Sequence, residues 1–219
     1  QLGIPTFHIE GGDVTEGGAL DDNIRHAITK LSHFHFVTNK ASYQNLIKLG
    51  EEKWRVRNVG LPINDIIYNK KFLNFKNLRH EFNLKESKPL IILTQHPITT
   101  QPQFAKKQIK EILKSIDYFI KNHNCQIIAT YPNNDVGSEH IINELEKFKE
   151  KNKEFSLYKS LGNHLYHSLL NLSKKMNVLV VGNSYSGIKE AVAFKCPVIN
   201  VGSRQNGRLK PKNVFDVEC

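Results

Sequence analysis

Short apolar runs alternate with longer amphipathic segments along almost the whole chain. The short runs have the β-branched content of strands, and the longer segments repeat apolar residues at helical spacing. Because parallel strands need long crossover connections, this alternation predicts a parallel sheet covered by helices on both faces. Strands are predicted at 5–9, 35–38, 55–59, 90–94, 126–131, 155–158, 178–181, 198–201 and 214–217, and helices at 21–31, 41–49, 104–122, 138–151, 164–175 and 188–194.

A polar segment, 69–87, separates these elements into two groups. It is predicted to be the crossover between two Rossmann-like domains. Residues 88–219 hold six predicted strands, enough for one such domain, whereas residues 1–68 hold about three. The shorter group is therefore expected to be the C-terminal part of an N-terminal Rossmann-like domain that is incomplete in this chain.

The formal net charge of +10 raises the question of a nucleic-acid partner. Lysines alternate with glutamates along the predicted helices, without a dense basic arm or an aromatic-lined basic stripe, which predicts solvated helix faces and no nucleic-acid partner. No stretch approaches the roughly 20 apolar residues of a membrane helix, so no membrane association is expected. Cys125 and Cys196 adjoin apolar strands and are expected to be buried free thiols, which favours the reducing cytoplasm.

An apolar strand at 178–181 runs into a small polar turn that opens a helix. Unpaired N–H groups at a helix start attract anions, and Ser184 and Ser186 can add hydroxyl donors. Glu190 lies one helical turn beyond Ser186 and suits a neutral diol, such as a ribose attached to that anion. Arg204 and Arg208, after the next strand, could face a diphosphate. An ordinary strand–turn–helix with a serine cap is an equal alternative.

Three polar clusters follow predicted strands or open a helix and could carry chemistry. Period-two alternation places His8 and Glu10 on one side of the first strand, and a carboxylate there suits a general acid or base. Asp21 opens a helix with Arg25 four residues later, within reach to orient it, although an acidic helix cap explains Asp21 equally well. His96 follows an apolar strand and could transfer a proton, or it could be structural.

Together and in this order, these clusters resemble the UDP-N-acetylglucosamine 2-epimerase family. The resemblance is to its hydrolysing branch, which serves sialic and legionaminic acid synthesis, and it spans nearly the whole chain. The matching segments are HIEGGD at 8–13, DDNIRHAITK at 21–30, SHFHFVT at 32–38, TQHP at 94–97, GNSYSGIKE at 182–190 and PVINVGSRQNGR at 197–208.

The resemblance implies an α/β fold with two Rossmann-like domains of the GT-B-like kind, closing on a UDP-sugar. Residues 88–219 would form the UDP-binding domain. The resemblance implies loss of UDP from C1 and of the proton from C2, then addition of water to the resulting 2-acetamidoglycal. No metal or other cofactor is implied, and the full-length protein is expected to be a homo-oligomer, a dimer or tetramer. The implied catalytic residues are Glu10, Asp21 and His96, and the implied substrate-binding residues are Arg25, Ser184, Tyr185, Ser186, Gly187, Glu190, Arg204, Gln205 and Arg208.

Several alternatives remain open at the level of sequence. Tyr185 stands where relatives commonly have a second serine. Two further parts of the family pattern are expected to be missing from this chain, the N-terminal half and the final helices, so the isolated chain is expected to be inactive. A non-hydrolysing epimerase, a nucleotide-sugar-binding module without turnover and a glycosyltransferase of the same architecture are the rival functions. The substituent at C4 of the sugar is undetermined.

Overall fold

The computed structural model describes residues 3–15 and 20–219 and confirms the α/β class. The strands are β1 (Phe7–Ile9), β2 (Phe34–Val37), β3 (Val56–Asn58), β4 (Leu90–Thr94), β5 (Gln126–Thr130), β6 (Phe155–Tyr158), β7 (Val178–Gly182), β8 (Val198–Val201) and β9 (Val214–Val217). The helices are α1 (Leu20–Leu31), α2 (Lys40–Lys48), α3 (Ile63–Asn69), α4 (Phe75–Phe82), α5 (Ala105–His123), α6 (Ser138–Lys151), α7 (Gly162–Asn171) and α8 (Tyr185–Lys189). No helix in the described part of the chain is long and apolar enough to cross a bilayer.

Within the described residues the strands form two sheets, and every strand pair is parallel. The smaller sheet has the order β1-β2-β3, and the larger has the order β6-β5-β4-β7-β8-β9. In the larger sheet the chain builds outward from β4 in one direction and then from β7 in the other. The boundary between β4 and β7 is therefore a topological switch point, beyond whose carboxyl ends open α/β sheets bind their ligands.

The chain divides into two compact units. The first unit comprises Gln1–Asn69 with Gln205–Leu209, and the second comprises Lys70–Arg204 with Lys210–Cys219. Burial of the central strands and of the apolar stripe of α5 gives the second unit its core. That stripe is buried at Ile109, Ile112, Leu113 and Ile116, as the sequence pattern predicts.

The polar segment predicted as a crossover contains a helix, α4. Asn74 caps it by accepting a hydrogen bond from the Asn77 N–H, and Leu78 and Phe82 are buried on one face. The Phe82 ring meets the Tyr158 ring edge-on at 5.2 Å between centroids. Two well-spaced apolar residues thus stabilise a helix that the high polarity of the segment hides from a sequence reading.

The helix predicted at 188–194 begins earlier than expected and is broken. Ser184 has an extended backbone at the N-cap, α8 follows at once, and a 3-10 turn, Ala191–Phe194, replaces its second half. Lys195 then ends the element in the left-handed conformation, with φ at 55°. The polar turn after β7 is consequently shorter than predicted.

Gly182 allows β7 to end against the backbone of β4. Its φ of 127° lies in the region that favours glycine, and a Cβ placed there would overlap the carbonyl oxygen of its strand partner Thr94. Gly187 differs, because a Cβ there would make ordinary contacts with Val198 and Val180 at 3.4 and 3.5 Å. Only the first glycine is therefore required by the meeting of the two strands.

Replacing each glycine by alanine tests this distinction. G182A should lose more than about 3 kcal/mol of unfolding free energy, because the backbone of β4 cannot move away without breaking the sheet. G187A should stay within about 1 kcal/mol of the wild type, since alanine is favoured in a helix. Urea unfolding measures both values, and a G182A protein as stable as G187A would contradict the proposed close approach.

Candidate functional site

Three loops of the second unit meet beyond the carboxyl ends of β5, β4 and β7. They carry Asn133, His96 and Asn183 respectively, and hydrogen bonds join all three. Because these strands are parallel neighbours, their carboxyl ends lie at one edge of the sheet. The site therefore lies at the switch point that the strand order creates.

Asn183 is the centre of this network. Its side chain is fully buried; Oδ1 accepts from the His96 N–H at 2.7 Å, and Nδ2 donates to the His96 carbonyl at 2.8 Å. Its own N–H donates to the Thr94 carbonyl at 3.2 Å. One amide side chain thus satisfies both backbone groups of His96 and ties that residue to the turn after β7.

The His96 imidazole is held in its neutral form. Burial lowers its pKa to about 4, the Arg204 guanidinium also lowers it, and Asp135 opposes the shift. The Asn133 N–H donates to Nδ1 at 2.9 Å. An acceptor at Nδ1 places the remaining proton on Nε2, so His96 presents an N–H donor at neutral pH. This arrangement favours donation of a hydrogen bond by His96 over abstraction of a proton.

Arg204 is anchored to the same network. Its Nη1 donates to the Asn183 carbonyl at 3.3 Å, and its Nη2 lies 4.0 Å from the Asp135 carboxylate. Its side chain is largely buried, so its charge acts in a poorly solvated setting. A guanidinium so placed can face an anionic ligand at the edge of the sheet.

Three hydroxyl groups lie close together at the start of α8, those of Ser184, Ser186 and Tyr166. The Ser184 and Ser186 hydroxyls lie 2.9 Å apart, and the Ser186 hydroxyl donates to the Tyr166 phenol oxygen at 3.4 Å. Burial raises the pKa of Tyr166, so the phenol stays protonated. The Gly187 N–H donates to the Ser184 carbonyl, and Gly187 packs on the sheet, so its part in the site is to bring α8 close.

Tyr185 and Glu190 have defined neighbours of their own. The Lys189 ammonium lies 5.3 Å from the centroid of the Tyr185 ring, a cation–π contact on the surface of α8. At the end of α8, Glu190 Oε2 lies 2.6 Å from Nε2 of His167, which is fully buried on α7. Glu190 is therefore fixed by an imidazole that the sequence motif does not include.

In the first unit, Glu10 follows β1 in an unusual conformation. Its φ is 63°, in the left-handed region that costs an ordinary residue of the order of 1–2 kcal/mol. Its N–H still pairs with the Phe36 carbonyl at 2.9 Å, but the extended chain ends at Ile9. The period-two argument that put Glu10 on the same side as His8 is therefore wrong at this residue. Backbone strain of this kind clusters at functional sites, although Asn83, Asn124 and Lys195 share the left-handed conformation.

The two glycines after Glu10 allow the backbone to pass close to the His8 ring and to the Ser42 carbonyl group. A Cβ on Gly11 would lie 2.7 Å from Nδ1 of His8, and a Cβ on Gly12 would overlap the Ser42 carbonyl oxygen. His8 is buried, and its Nδ1 lies 3.1 Å from the Thr29 hydroxyl. Burial lowers the pKa of His8, and the neighbouring His35 and Arg25 lower it further. The buried His8 ring therefore packs closely against the turn at Gly11.

The structure pairs Arg25 with Asp22 and not with Asp21. Arg25 Nη1 lies 2.5 Å from Asp22 Oδ1, while Asp22 Oδ2 accepts from the Thr15 N–H and hydroxyl at 2.8 and 2.6 Å. Burial would raise the pKa of Asp22, but the hydrogen bonds from Thr15 and Arg25 outweigh it and lower that pKa. Asp21 is exposed, and no side chain in residues 3–15 or 20–219 pairs with it.

Gln205 and Arg208 lie in the part of the loop after β8 that belongs to the first unit. Arg208 Nε lies 3.3 Å from Asp13 Oδ2, and its Nη1 donates to Gln205 Oε1 at 2.5 Å. Asp13 also accepts from Arg25 through its backbone carbonyl at 3.1 Å. The HIEGGD segment, the start of α1 and Arg208 are thereby joined in one polar cluster.

Each unit thus gathers a subset of the candidate residues. The first unit joins Arg25, Gln205 and Arg208 through Asp13 and Asp22, and the second joins His96, Arg204 and the turn into α8. Sequence reasoning missed Asn183 and His167. Asn183 stands inside the quoted GNSYSGIKE segment, so its buried amide could have been suspected there, whereas nothing in the sequence around His167 signals its role.

Replacing His96 by glutamine tests whether the imidazole is held neutral. The pKa is about 4 in the folded protein and 6.5 in the unfolded chain, so between these values only the unfolded state gains a proton as the pH falls. Wild-type protein should therefore lose about 2 kcal/mol more unfolding free energy than H96Q between about pH 7 and about pH 4.5. Urea unfolding at both pH values checks this, and equal losses in the two proteins would contradict it.

The sequence of the chain is similar to those of known enzymes. A family model described as UDP-N-acetylglucosamine 2-epimerase matches residues 1–219. The chain is 41% identical over 216 residues to GDP/UDP-N,N'-diacetylbacillosamine 2-epimerase (hydrolyzing) of Campylobacter jejuni, covering 98% of this chain and 54% of that protein. It is 35% identical over 218 residues to UDP-N,N'-diacetylbacillosamine 2-epimerase (hydrolyzing) of Legionella pneumophila, covering 100% and 55%. The chain spans about half the length of these curated relatives.

Among solved structures, the fold is similar to that of UDP-GlcNAc 2-epimerase from Neisseria meningitidis bound to UDP-GlcNAc. The TM-score is 0.71 at 19% identity, and the match covers 90% of this chain and 53% of that chain. This likeness shows a shared fold, and the family model that matches the whole sequence shows common membership. The chain belongs to the UDP-N-acetylglucosamine 2-epimerase family.

Proposed function

We propose that the protein containing this chain is a hydrolysing UDP-sugar 2-epimerase. Its substrate would be UDP-N-acetylglucosamine or a UDP-2,4-diacetamido sugar, and its products UDP and the free C2-epimerised N-acetyl sugar. The observation that carries the proposal is the junction made by Asn183, which holds a neutral His96 beside the hydroxyl-bearing turn into α8. This junction lies at the switch point of the larger sheet, where a nucleotide is expected.

The second unit would bind the UDP moiety. The Ser184 and Ser186 hydroxyls and the Arg204 guanidinium would contact the diphosphate, and Glu190 would accept from the ribose hydroxyls. Tyr185 would flank this site, with Lys189 over its ring. A carboxylate suits the neutral diol, whereas hydroxyl and guanidinium donors suit the anion.

The reaction would proceed by elimination and addition. The C1–O bond to UDP breaks as a base removes the C2 proton, which gives a 2-acetamidoglycal. Water then adds its hydroxyl to C1, and a proton returns to C2 on the opposite face. Glu10 and Asp21 are the carboxylates that would exchange these protons. The Nε2–H of His96 would donate to the departing diphosphate, where negative charge develops.

Further parts of the proposal concern the first unit and the whole protein. Arg25, Gln205 and Arg208 would help to bind the substrate, since they cluster around Asp13, which follows Glu10 by three residues in the chain. We expect a cytoplasmic homo-oligomer that uses a UDP-sugar and does not bind nucleic acid. Release of free sugar is favoured over return of a UDP-linked epimer because the relatives at 41% and 35% identity carry the word hydrolyzing in their names, whereas one at 32% identity does not.

Incubating the full-length protein with each UDP-sugar in D2O and following the products by NMR tests the proposal. UDP and a free C2-epimerised sugar should appear together, with deuterium at C2 because the proton there exchanges with solvent. A UDP-linked epimer would support the non-hydrolysing alternative instead. UDP binding without any turnover would support a non-catalytic module.

The E10Q variant tests whether the Glu10 carboxylate transfers a proton in this reaction. The substitution keeps the size of Glu10 and removes the charge needed for proton transfer, so kcat should fall at least about 100-fold while UDP affinity is unchanged. E81Q, which alters an exposed glutamate on α4, is the matched control and should keep the wild-type rate. An E10Q protein with the wild-type kcat would contradict the catalytic role.

A further inference from the structure

A fully buried imidazole, that of His167, forms a hydrogen bond with the carboxylate of Glu190. His167 lies on α7, its side chain has no exposed surface, and its Nε2 lies 2.6 Å from Glu190 Oε2. Because a carboxylate only accepts, the hydrogen in this bond belongs to Nε2. Glu190 keeps 17% of its side chain exposed, so the pair joins a buried donor to a carboxylate that solvent can still reach.

The His167 ring has no other polar function within the described residues. Its Nδ1 is buried without a hydrogen-bond partner there, and the ring packs at 5.7 Å from the Phe194 ring. A buried polar atom without a partner is costly, so an apolar side chain would fill this space at lower cost if packing alone mattered. The bond to Glu190 is what the imidazole adds.

The bond occupies only one oxygen of Glu190. No residue in the described part of the chain donates to Oε1, so that oxygen can accept from a ligand. Tyr166, the residue before His167, meets Ser186 of the same turn. Two successive residues of α7 therefore contact polar groups at the two ends of α8, Ser186 in its first turn and Glu190 after its last residue.

We propose that His167 is a positioning residue that holds Glu190 ready to accept the ribose hydroxyls of the nucleotide. This inference rests on the proposed function, because it takes UDP as the ligand. A carboxylate fixed before binding loses less side-chain freedom when the ligand arrives, which corresponds to about 10-fold in affinity. The gain applies only to a ligand that carries the hydroxyls.

Calorimetric titration of the full-length protein with UDP and with 2′,3′-dideoxy-UDP tests the proposal. The wild-type protein should bind UDP more tightly than the dideoxy probe. H167L should weaken UDP binding about 10-fold and change binding of the probe by less than about twofold. H167Q, which retains an N–H donor, should recover part of the preference for UDP. H140L, at an exposed histidine of α6, is the matched control and should bind both ligands as the wild type does.

The possible outcomes distinguish a failure of the His167 role from a failure of the proposed function. Equal weakening for both ligands in H167L, or an unchanged preference for UDP, overturns the role of His167 alone. A wild-type protein that does not bind UDP overturns the proposed function and this inference with it. E190A, at a partly exposed site, keeps the test decisive if H167L does not fold: it removes the acceptor and should abolish the preference for UDP, and a preserved preference overturns the proposal.

Discussion

The parallel pairing of β4 with β7 is the interaction on which the candidate site depends. The two strands are in register from Leu90 with Val178 to Thr94 with Gly182, so both end at the same level of the sheet. Gly182 lets the backbones meet, and Asn183 at once bonds to Thr94 and His96. The loops that follow the strands are thereby joined by partly buried hydrogen bonds, which are stronger than exposed ones because the local dielectric constant is lower.

This junction also sets the electrostatics of the second unit. His96 is kept neutral by burial and by the nearby Arg204 guanidinium, and the Asn133 N–H selects the tautomer with its proton on Nε2. A neutral donor next to a guanidinium suits a leaving diphosphate, because both groups stabilise the developing negative charge. The carboxylate of Glu190 has its own partner, the His167 imidazole.

The sequence predicted the central strands of the larger sheet well because β4, β5 and β7 are short, buried apolar runs, a pattern that is local. It failed where the outcome depends on distant contacts. The helix in the polar segment is stabilised by the edge-on contact between the Phe82 and Tyr158 rings, which are far apart in the sequence. Arg25 pairs with Asp22 because Thr15 holds that carboxylate, a contact that spacing along α1 does not reveal.

The candidate site shows the same division between local and distant information. Motif positions such as Ser184 and His96 could be named from the sequence because they follow apolar strands. Asn183 and His167 act across 87 and 23 residues of chain, so their roles emerge only from the folded structure. The strain at Glu10 was equally hidden, because alternation along a strand gives no sign of where the extended backbone ends.

The sharpest test is a crystal structure of the full-length protein with UDP. The diphosphate should lie against Ser184, Ser186 and Arg204, with Glu190 Oε1 bonded to the ribose and Oε2 still bonded to His167. UDP bound away from the carboxyl ends of β4 and β7, or a ribose with no contact to Glu190, would contradict the proposed UDP site.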